Sequence, residues 1–322
     1  MFVRSAALAL LLCTAGLHTA AYPQQPGGPP PPAGNHWETE FPAIEEAAWS
    51  VSRLPDGQPD IAGFWSNTVS NHSNFTDPQA GPPGEASDVA GLPRNQRAPS
   101  RVSDPADGEI PYLPAARALQ ARFAANFANP EENRYIEPLA RCAPAGVPKS
   151  FMWHGYEIRQ YPGQVVLLFD SGWRIIHLET ADHLADNIKL WNGDSVGRWE
   201  GNTLHVSVRN NNGKALFGRY GDFMSENATV EERYVFAPDG ARFNYLATFT
   251  DPTVYSRPWT ATIPSRRYTS ADEPDGWHFD VSQVNRAGEV EYEHTERICH
   301  ENNGPFGGGA VGVPSNDPVI SR

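Results

Sequence analysis

Short runs of alternating apolar and polar residues, separated by turn residues, fill the second half of this chain. Alternation of this kind places successive side chains on opposite faces of a β-strand, and Gly, Pro and Asp favour the turns between strands. Such turn residues stand at Pro162-Gly163 and at Asp239-Gly240. The pattern predicts about nine strands, which cover residues 156–161, 164–169, 173–178, 198–208 folded about Gly201, 230–236, 242–250, 259–263, 277–284 and 290–298.

The order of these segments decides the fold class. No helical pattern alternates with the strands, which excludes a doubly wound parallel sheet. One helix is indicated by Leu113, Ala116, Leu119 and Phe123, which recur at helical spacing. We therefore predict a mainly β fold with one flanking helix and a long irregular N-terminal lead. The strands form an antiparallel β-barrel of the lipocalin or calycin kind, or else a sandwich.

The N-terminus has the features of a signal peptide. Arg4 precedes a short apolar run, and small residues follow it up to Ala21. No later run approaches the roughly 20 apolar residues that cross a bilayer, so we expect no membrane span and a periplasmic or secreted protein. The predicted organisation is a signal peptide over residues 1–21, a flexible proline-rich leader over 22–50 and a single β-rich domain over 51–322.

The predicted signal peptide also decides which cysteines remain in the mature chain. Cys13 lies in the predicted signal, and its alternative role as a lipidated residue is disfavoured because Leu12 stands where a small residue should precede it. Cys142 and Cys299 remain in the mature chain, in a compartment where disulfides persist. We predict that they form a disulfide, and two unpaired thiols are the alternative.

The charge limits the partners. A formal net charge of -13 disfavours nucleic acid and anionic membranes. A small aromatic or otherwise apolar molecule is the partner that we expect. Residues 67–107, rich in Pro, Gly, Ser and Asp, are too many for a simple connection and either drape over the domain or act as a lid.

Side-chain alternation also identifies polar residues that share a face with the core. Glu232 is in phase with Tyr234, and His294 is in phase with Val290. If these faces line one chamber, buried ionisable groups meet there among aromatic walls, as in an acid and base site. The catalytic candidates are His154, Glu232, Tyr255, Arg257, His294 and Glu296, and the substrate-binding candidates are Tyr156, Tyr234, Trp259 and Tyr292.

A structural interpretation competes with this one. Arg257 and the two glutamates could instead form an ion-pair network, with the histidines as satisfied core residues. His154, His294 and a carboxylate could also supply three zinc ligands, although no His-Glu-x-x-His spacing occurs. No Gly-x-Ser-x-Gly elbow, phosphate loop or dinucleotide fingerprint is present, so neither a hydrolase triad nor a nicotinamide cofactor is predicted. We predict no cofactor, with a divalent metal such as zinc as the alternative.

Four motifs occur in order along nearly all of the predicted mature chain. They are LPDGQPDIAGFW over residues 54–65, GDSVGRWEGNTL over 193–204, DPTVYSRPWT over 251–260 and CHEN over 299–302. In these motifs the chain resembles a large family of exported, mostly uncharacterised bacterial proteins. The resemblance implies a shared fold and export, and it implies no reaction. This chain departs from the family at Thr229, where many relatives carry a histidine.

The second motif also has a structural interpretation, in which Arg198 braces a turn through Asp194 while Trp199 fills the core. For the whole protein the leading hypothesis is an exported, cofactor-independent lyase or isomerase that acts on a small aromatic or apolar molecule. Glu232 or His294 would be its base, and Arg257 or Tyr255 would stabilise negative charge. The alternatives are a non-catalytic, lipocalin-like carrier of a hydrophobic molecule and an extracytoplasmic interaction protein.

Overall fold

The structure is a computed structural model. It describes residues 43–50, 52–66, 75–78, 99–127, 130–136, 138, 143–152, 155–169, 172–218 and 221–267, together with the backbone of two short strands within 282–292.

The described residues form twelve strands and one α-helix. The strands are β1 (Gly63–Ser66), β2 (Val102–Asp104), β3 (Tyr156–Tyr161), β4 (Gln164–Phe169), β5 (Gly172–His177), β6 (Asp194–Glu200), β7 (Thr203–Arg209), β8 (Thr229–Phe236), β9 (Arg242–Thr250), β10 (Trp259–Arg267), β11 (Ser282–Val284) and β12 (Val290–Tyr292); the helix is α1 (Pro114–Ala125), and single 3₁₀ turns lie at Asn133–Tyr135 and Lys149–Met152.

Nine of these strands close into a barrel. The order β1-β3-β4-β5-β6-β7-β8-β9-β10 closes on itself because β1 pairs with both β3 and β10. The short strand β2 pairs with the start of β10, and β11 pairs with β12 in a separate hairpin. The predicted barrel of about nine strands is confirmed, and the sandwich is not formed.

One pair of neighbours in the barrel is parallel. β5 and β6 meet through His177 and Val196, whereas the other pairs of neighbours in the barrel are antiparallel. Parallel neighbours need a long crossover connection. Residues 178–193 make that connection, and the barrel is therefore mixed and not purely antiparallel.

Local sequence explains the hairpins. Gly163 has φ 72° in the β3–β4 turn and Gly240 has φ 68° in the β8–β9 turn, a conformation that favours glycine. The predicted alternation also holds: Val165, Leu167 and Phe169 of β4 are buried, while the residues between them are partly exposed. The core therefore lies inside the barrel, as the alternation requires.

Aromatic side chains fill much of that interior. Trp65 packs against Phe243 with ring centroids 4.9 Å apart, and Phe236 packs against Phe243 at 4.7 Å. Phe151, from the 3₁₀ turn before β3, stacks on Tyr245 at 4.2 Å. Pairs of this kind contribute about 0.5–1.5 kcal/mol each beyond their buried area.

The helix α1 lies at the end of the barrel where β7 ends and β8 begins. Pro114 occupies the first turn, where the missing N–H costs nothing. Ala116 is buried, and Phe123 packs against Phe223 of the β7–β8 loop. The predicted helix is therefore confirmed, and it covers Pro114–Ala125.

The N-terminal segment 43–50 packs on the opposite end of the barrel. Ala47 N donates to Asn202 Oδ1 at 2.6 Å, and Trp49 packs on Phe236. The sequence places these residues in the leader, whereas the structure has them in contact with the barrel. Part of the long irregular segment also packs inward, since Phe75 is buried against Phe217 and Trp259.

Several predictions fall outside the described residues. These are the signal peptide and both Cys142 and Cys299 with their disulfide. In the part of the chain that the structure describes, no helix is both long and apolar enough to cross a membrane.

Candidate functional site

Glu232 lies inside the barrel, where the alternation of β8 predicts it, but its partner is an arginine that the sequence analysis missed. Arg174 of β5 donates to both carboxylate oxygens of Glu232, from Nη1 to Oε1 at 3.0 Å and from Nη2 to Oε2 at 2.8 Å. The two side chains are 1% and 0% exposed. Arg174 Nε donates to Ser195 Oγ of β6 at 2.9 Å.

Two tyrosines complete this cluster. Tyr245 Oη donates to Glu232 Oε1 at 2.7 Å, and Tyr234 Oη donates to Oε2 at 3.2 Å. We call Arg174, Ser195, Glu232, Tyr234 and Tyr245 the barrel cluster. It joins side chains of β5, β6, β8 and β9 across the interior.

Burial and charge shift the pKa values of this cluster. Burial raises the pKa of the Tyr234 and Tyr245 hydroxyls well above the ordinary value, and the neighbouring Glu232 carboxylate raises them further. For Arg174, burial lowers the pKa, but the charge and hydrogen bonds of Glu232, together with Tyr234 and Tyr245, more than offset it, so the pKa lies above the ordinary value. The tyrosines therefore stay neutral donors and the arginine stays charged.

This geometry favours a structural role for Glu232. Its carboxylate accepts four hydrogen bonds, two from Arg174 and one from each tyrosine. A general base needs a lone pair that faces its substrate. The structural alternative, an ion-pair network, therefore describes Glu232 better than the catalytic one, with Arg174 in the place given to Arg257.

The prediction that Arg257 lines the interior is wrong. Arg257 is half exposed and binds Asp104 on the surface, from Nη2 to both carboxylate oxygens at 2.7 Å. It precedes β10, which begins at Trp259, so the strand alternation does not extend back to it. Tyr255 is buried, but its hydroxyl donates to the backbone oxygen of Phe223 at 2.7 Å, away from the barrel cluster.

The remaining predicted residues divide into two groups. Tyr156, Tyr234 and Trp259 are buried: Tyr156 Oη donates to Ser265 Oγ at 2.8 Å, and Trp259 stacks on Phe249 at 4.3 Å. They pack against neighbouring side chains as core residues do. His154, His294 and Glu296 lie outside the described residues, as does the side chain of Tyr292.

A cavity of about 840 Å³ opens at the end of the barrel that α1 covers. We call it the barrel-end cavity. Such a volume is within the range of small-molecule sites. Its apolar lining comes from α1, Ile136, the crossover and the β7–β8 loop: Leu119, Phe123, Ile136, Trp191, Leu216, Phe223 and Met224.

Charged residues stand among this apolar lining. Arg134, Lys214 and Glu226 line the barrel-end cavity. Arg134 pairs with Glu132 at 3.0 Å, whereas Lys214 is exposed and its ammonium makes no hydrogen bond or ion pair with another described residue. Among the described residues of the lining, Lys214 is therefore the cation that is available to a bound molecule.

A buried carboxyl lies behind the wall of this cavity. Asp222 precedes the lining residue Phe223 and accepts a hydrogen bond from Tyr112 Oη at 3.0 Å. Burial raises the pKa of Asp222 to about 6, although the bond from Tyr112 and the charge of Arg117 oppose the shift. Tyr112 also contacts the ring of Tyr255, at 5.5 Å between centroids.

The motif around Asp194 differs from its predicted arrangement. Arg198 binds Glu200 from Nε to Oε1 at 2.8 Å and does not brace Asp194. Asp194 instead binds His183 of the crossover. Trp199 does pack toward the core, against Phe236.

Among the described residues, no group of three or more His, Cys, Asp or Glu side chains is arranged to hold a metal ion. The two histidines considered as zinc ligands are outside those residues. Comparison with protein-family models, with curated proteins and with solved structures found no match. The resemblance to a family of exported bacterial proteins therefore stays a prediction, as does export itself.

Proposed function

We propose that this protein binds a small aromatic or apolar molecule with an anionic group in the barrel-end cavity, as a carrier does. The observation that supports this is the combination of a large apolar cavity with a cation, Lys214, whose ammonium pairs with no other described residue. An apolar body would be held by burial, at roughly 25 cal/mol per Å². The ammonium group of Lys214 would then orient the anionic end.

An anionic aromatic dye, 8-anilinonaphthalene-1-sulfonate, tests this proposal. The dye fluoresces when it leaves water, and we expect saturable binding to the folded protein. Leu119→Trp, which places a larger side chain at the cavity wall on α1, should abolish the signal. Ala118→Trp is the matched control, because Ala118 is exposed on the same helix.

A second pair of variants tests whether the charge of Lys214 contributes to dye binding. Lys214→Glu should weaken dye binding ~10-fold, since each 1.4 kcal/mol is a factor of ten in affinity. Arg159→Glu reverses an exposed charge on β3, distant from the cavity lining, and should leave the affinity unchanged. Equal binding by wild type and Leu119→Trp would refute the proposal.

A lyase or isomerase is the second candidate, and Asp222 is the observation that favours it. A carboxyl whose pKa is raised to about 6, hydrogen-bonded to Tyr112, can carry a proton near neutral pH. It lies directly behind Phe223, which lines the barrel-end cavity. Asp222→Asn separates the two candidates: a catalyst loses turnover of a bound ligand and keeps its affinity, whereas a carrier has no turnover to lose.

A further inference from the structure

The crossover between β5 and β6 carries His183 across the outer face of the barrel. His183 Nδ1 lies 2.8 Å from Asp194 Oδ2, and its Nε2 lies 3.2 Å from Ser207 Oγ. Asp194 begins β6, and Ser207 lies on the outward face of β7, between the buried Val206 and Val208. Serine, histidine and aspartate are thus linked by hydrogen bonds in that order, although the sequence has no Gly-x-Ser-x-Gly elbow.

The arrangement fixes the roles of the imidazole nitrogens. A carboxylate only accepts hydrogen bonds, so the Nδ1 hydrogen points at Asp194, and in the neutral imidazole the Nε2 lone pair then faces Ser207. Asp194 is buried and also accepts from the backbone N–H of Leu184 at 2.9 Å, which fixes its position beside the ring. Nε2 is therefore placed to accept the hydroxyl proton of Ser207.

The cluster is open to a small molecule. His183 and Ser207 line a surface cleft of about 560 Å³ together with Leu178, Gly197, Arg198 and Arg209. Leu178 supplies an apolar wall. The charged lining residues are Glu179, Arg198, which pairs with Glu200, and Arg209, which lies near Glu231. The cleft is distinct from the barrel-end cavity, with which it shares no lining residue.

We propose that Ser207, His183 and Asp194 form a hydrolytic site for a small carboxylic ester. Ser207 Oγ adds to the ester carbonyl carbon while its proton passes to His183 Nε2, and the carbonyl electrons move to oxygen. The carbonyl re-forms, the C–O bond to the alcohol breaks, and the alcohol takes the proton from Nε2. Water, losing a proton to His183 Nε2, then adds to the acyl-Ser207 carbonyl carbon. The bond from that carbon to Ser207 Oγ breaks, Oγ takes the proton back from Nε2, and the carboxylic acid leaves.

Arg209 stands where it can stabilise the oxyanion. The backbone of Ser207 belongs to the ladder with β6 and β8, so it has no free N–H for this purpose. Arg209 Nη2 lies 3.9 Å from Glu231 Oε1, the same oxygen that accepts from Ser207 Oγ at 3.1 Å. Glu231 therefore competes with His183 for the serine proton until substrate displaces it.

The full-length protein is assayed with 4-nitrophenyl acetate and with a fluorophosphonate that labels activated serines. We expect hydrolysis above the buffer rate and one label, located at Ser207 by peptide mass spectrometry. Ser207→Ala should abolish both. His183→Ala should lower the rate and the labelling by ~10²–10⁴-fold, the usual contribution of a general base. His205→Ala is the matched control, because His205 shares the outward face of β7 and does not contact Ser207.

Asp194 acts only by positioning the His183 ring, so its role is tested by a measurement on that ring as well as by the esterase rate. In wild type, the Nδ1 proton of His183 should give a low-field ¹H resonance, and Asp194→Asn should remove it and lower the esterase rate. Circular dichroism of each variant reports whether the barrel stays folded. Labelling of another serine, no labelling at all, or a wild-type rate in folded Ser207→Ala would each overturn the proposal.

Discussion

Arg174 and Glu232 place two full charges inside an aromatic core. Removing charges from water is costly, and a buried pair offsets that cost only when its geometry is good and its remaining hydrogen bonds are made. Both conditions hold, since the pair is bidentate and Ser195, Tyr234 and Tyr245 bind its remaining atoms. The cluster therefore specifies how four strands face one another.

Variants of this pair should be strongly non-additive. Arg174→Met or Glu232→Gln alone should lower the free energy of unfolding by about 3–5 kcal/mol, because each leaves a buried charge without its partner. The double variant should lose clearly less than the sum of the two. Urea denaturation of the four proteins measures the coupling, and additive losses would contradict the assignment.

Asp222 should make stability depend on pH. Its pKa is raised from the ordinary 3.8 to about 6 by burial, so between these values the folded state holds a proton that the unfolded state has lost. This contribution to stability is complete below pH 4 and is lost as pH rises through 6, by up to about 3 kcal/mol. The free energy of unfolding of Asp222→Asn should therefore rise relative to that of wild type as pH rises from 4 to 7.

Denaturant unfolding at several values between pH 4 and 7 checks this. Asp186→Asn, at an exposed position in the crossover, is the control and should show no such change relative to wild type. A difference between Asp222→Asn and wild type that does not vary with pH would be inconsistent with a buried, protonated carboxyl.

Among the elements, the β6–β7 hairpin anchors the N-terminal segment. The Asn202 side chain donates to the backbone oxygens of Glu45 and Phe236, at 3.0 and 2.6 Å, and accepts from Ala47. Gly201 makes the approach possible, since a Cβ there would lie 2.1 Å from Ala47 O. This turn, together with the contacts of Glu46 with Arg233 and of Trp49 with Phe236, fixes where residues 45–50 run.

Asn202→Ala should detach that segment. The variant loses three hydrogen bonds between the Asn202 side chain and backbone groups, one buried and two partly buried. We expect a loss of about 2–3 kcal/mol in the free energy of unfolding. Limited proteolysis should cut near residues 43–50 in the folded variant and spare them in wild type. Asn187→Ala, at an exposed turn in the crossover, serves as control. Equal protection in Asn202→Ala and wild type would count against this anchor.

At the scale of the whole molecule, the shortest ladder of the barrel is the seam between β5 and β6, followed by the two residue pairs between β1 and β10. The β8–β9 and β9–β10 ladders each pair eight residues, whereas β5 and β6 are in register only at His177 and Val196. Local opening begins where few backbone hydrogen bonds hold neighbours together. The crossover that carries His183 spans this seam.

Hydrogen exchange should therefore start at the seam. Amides of β5 and β6 that face each other should exchange faster than amides of β8 and β9, which should report global unfolding. Exchange measured by NMR on the native protein separates the two classes. Equal protection of amides in all barrel strands would contradict this prediction, because the seam would then be as stable as the longer ladders.

Local sequence determined much of this architecture. Alternation located the strands, turn residues such as Gly163 and Gly240 located the hairpins, and helical spacing located α1, because each signal depends on neighbours in the chain. The same rule placed Glu232 inside, and it could have found Arg174, which is in phase with the buried Ile176 of β5.

Tertiary structure alone decided which side chains meet. Arg174 reaches Glu232 across the barrel, Arg257 turns outward to Asp104, and His183 meets Ser207 only because β5 and β6 are parallel and need a crossover. Such contacts depend on strand order and register, which arise from the pairing of distant segments. No local pattern of residues encodes that pairing, so the chemistry of this protein is set by its closed topology.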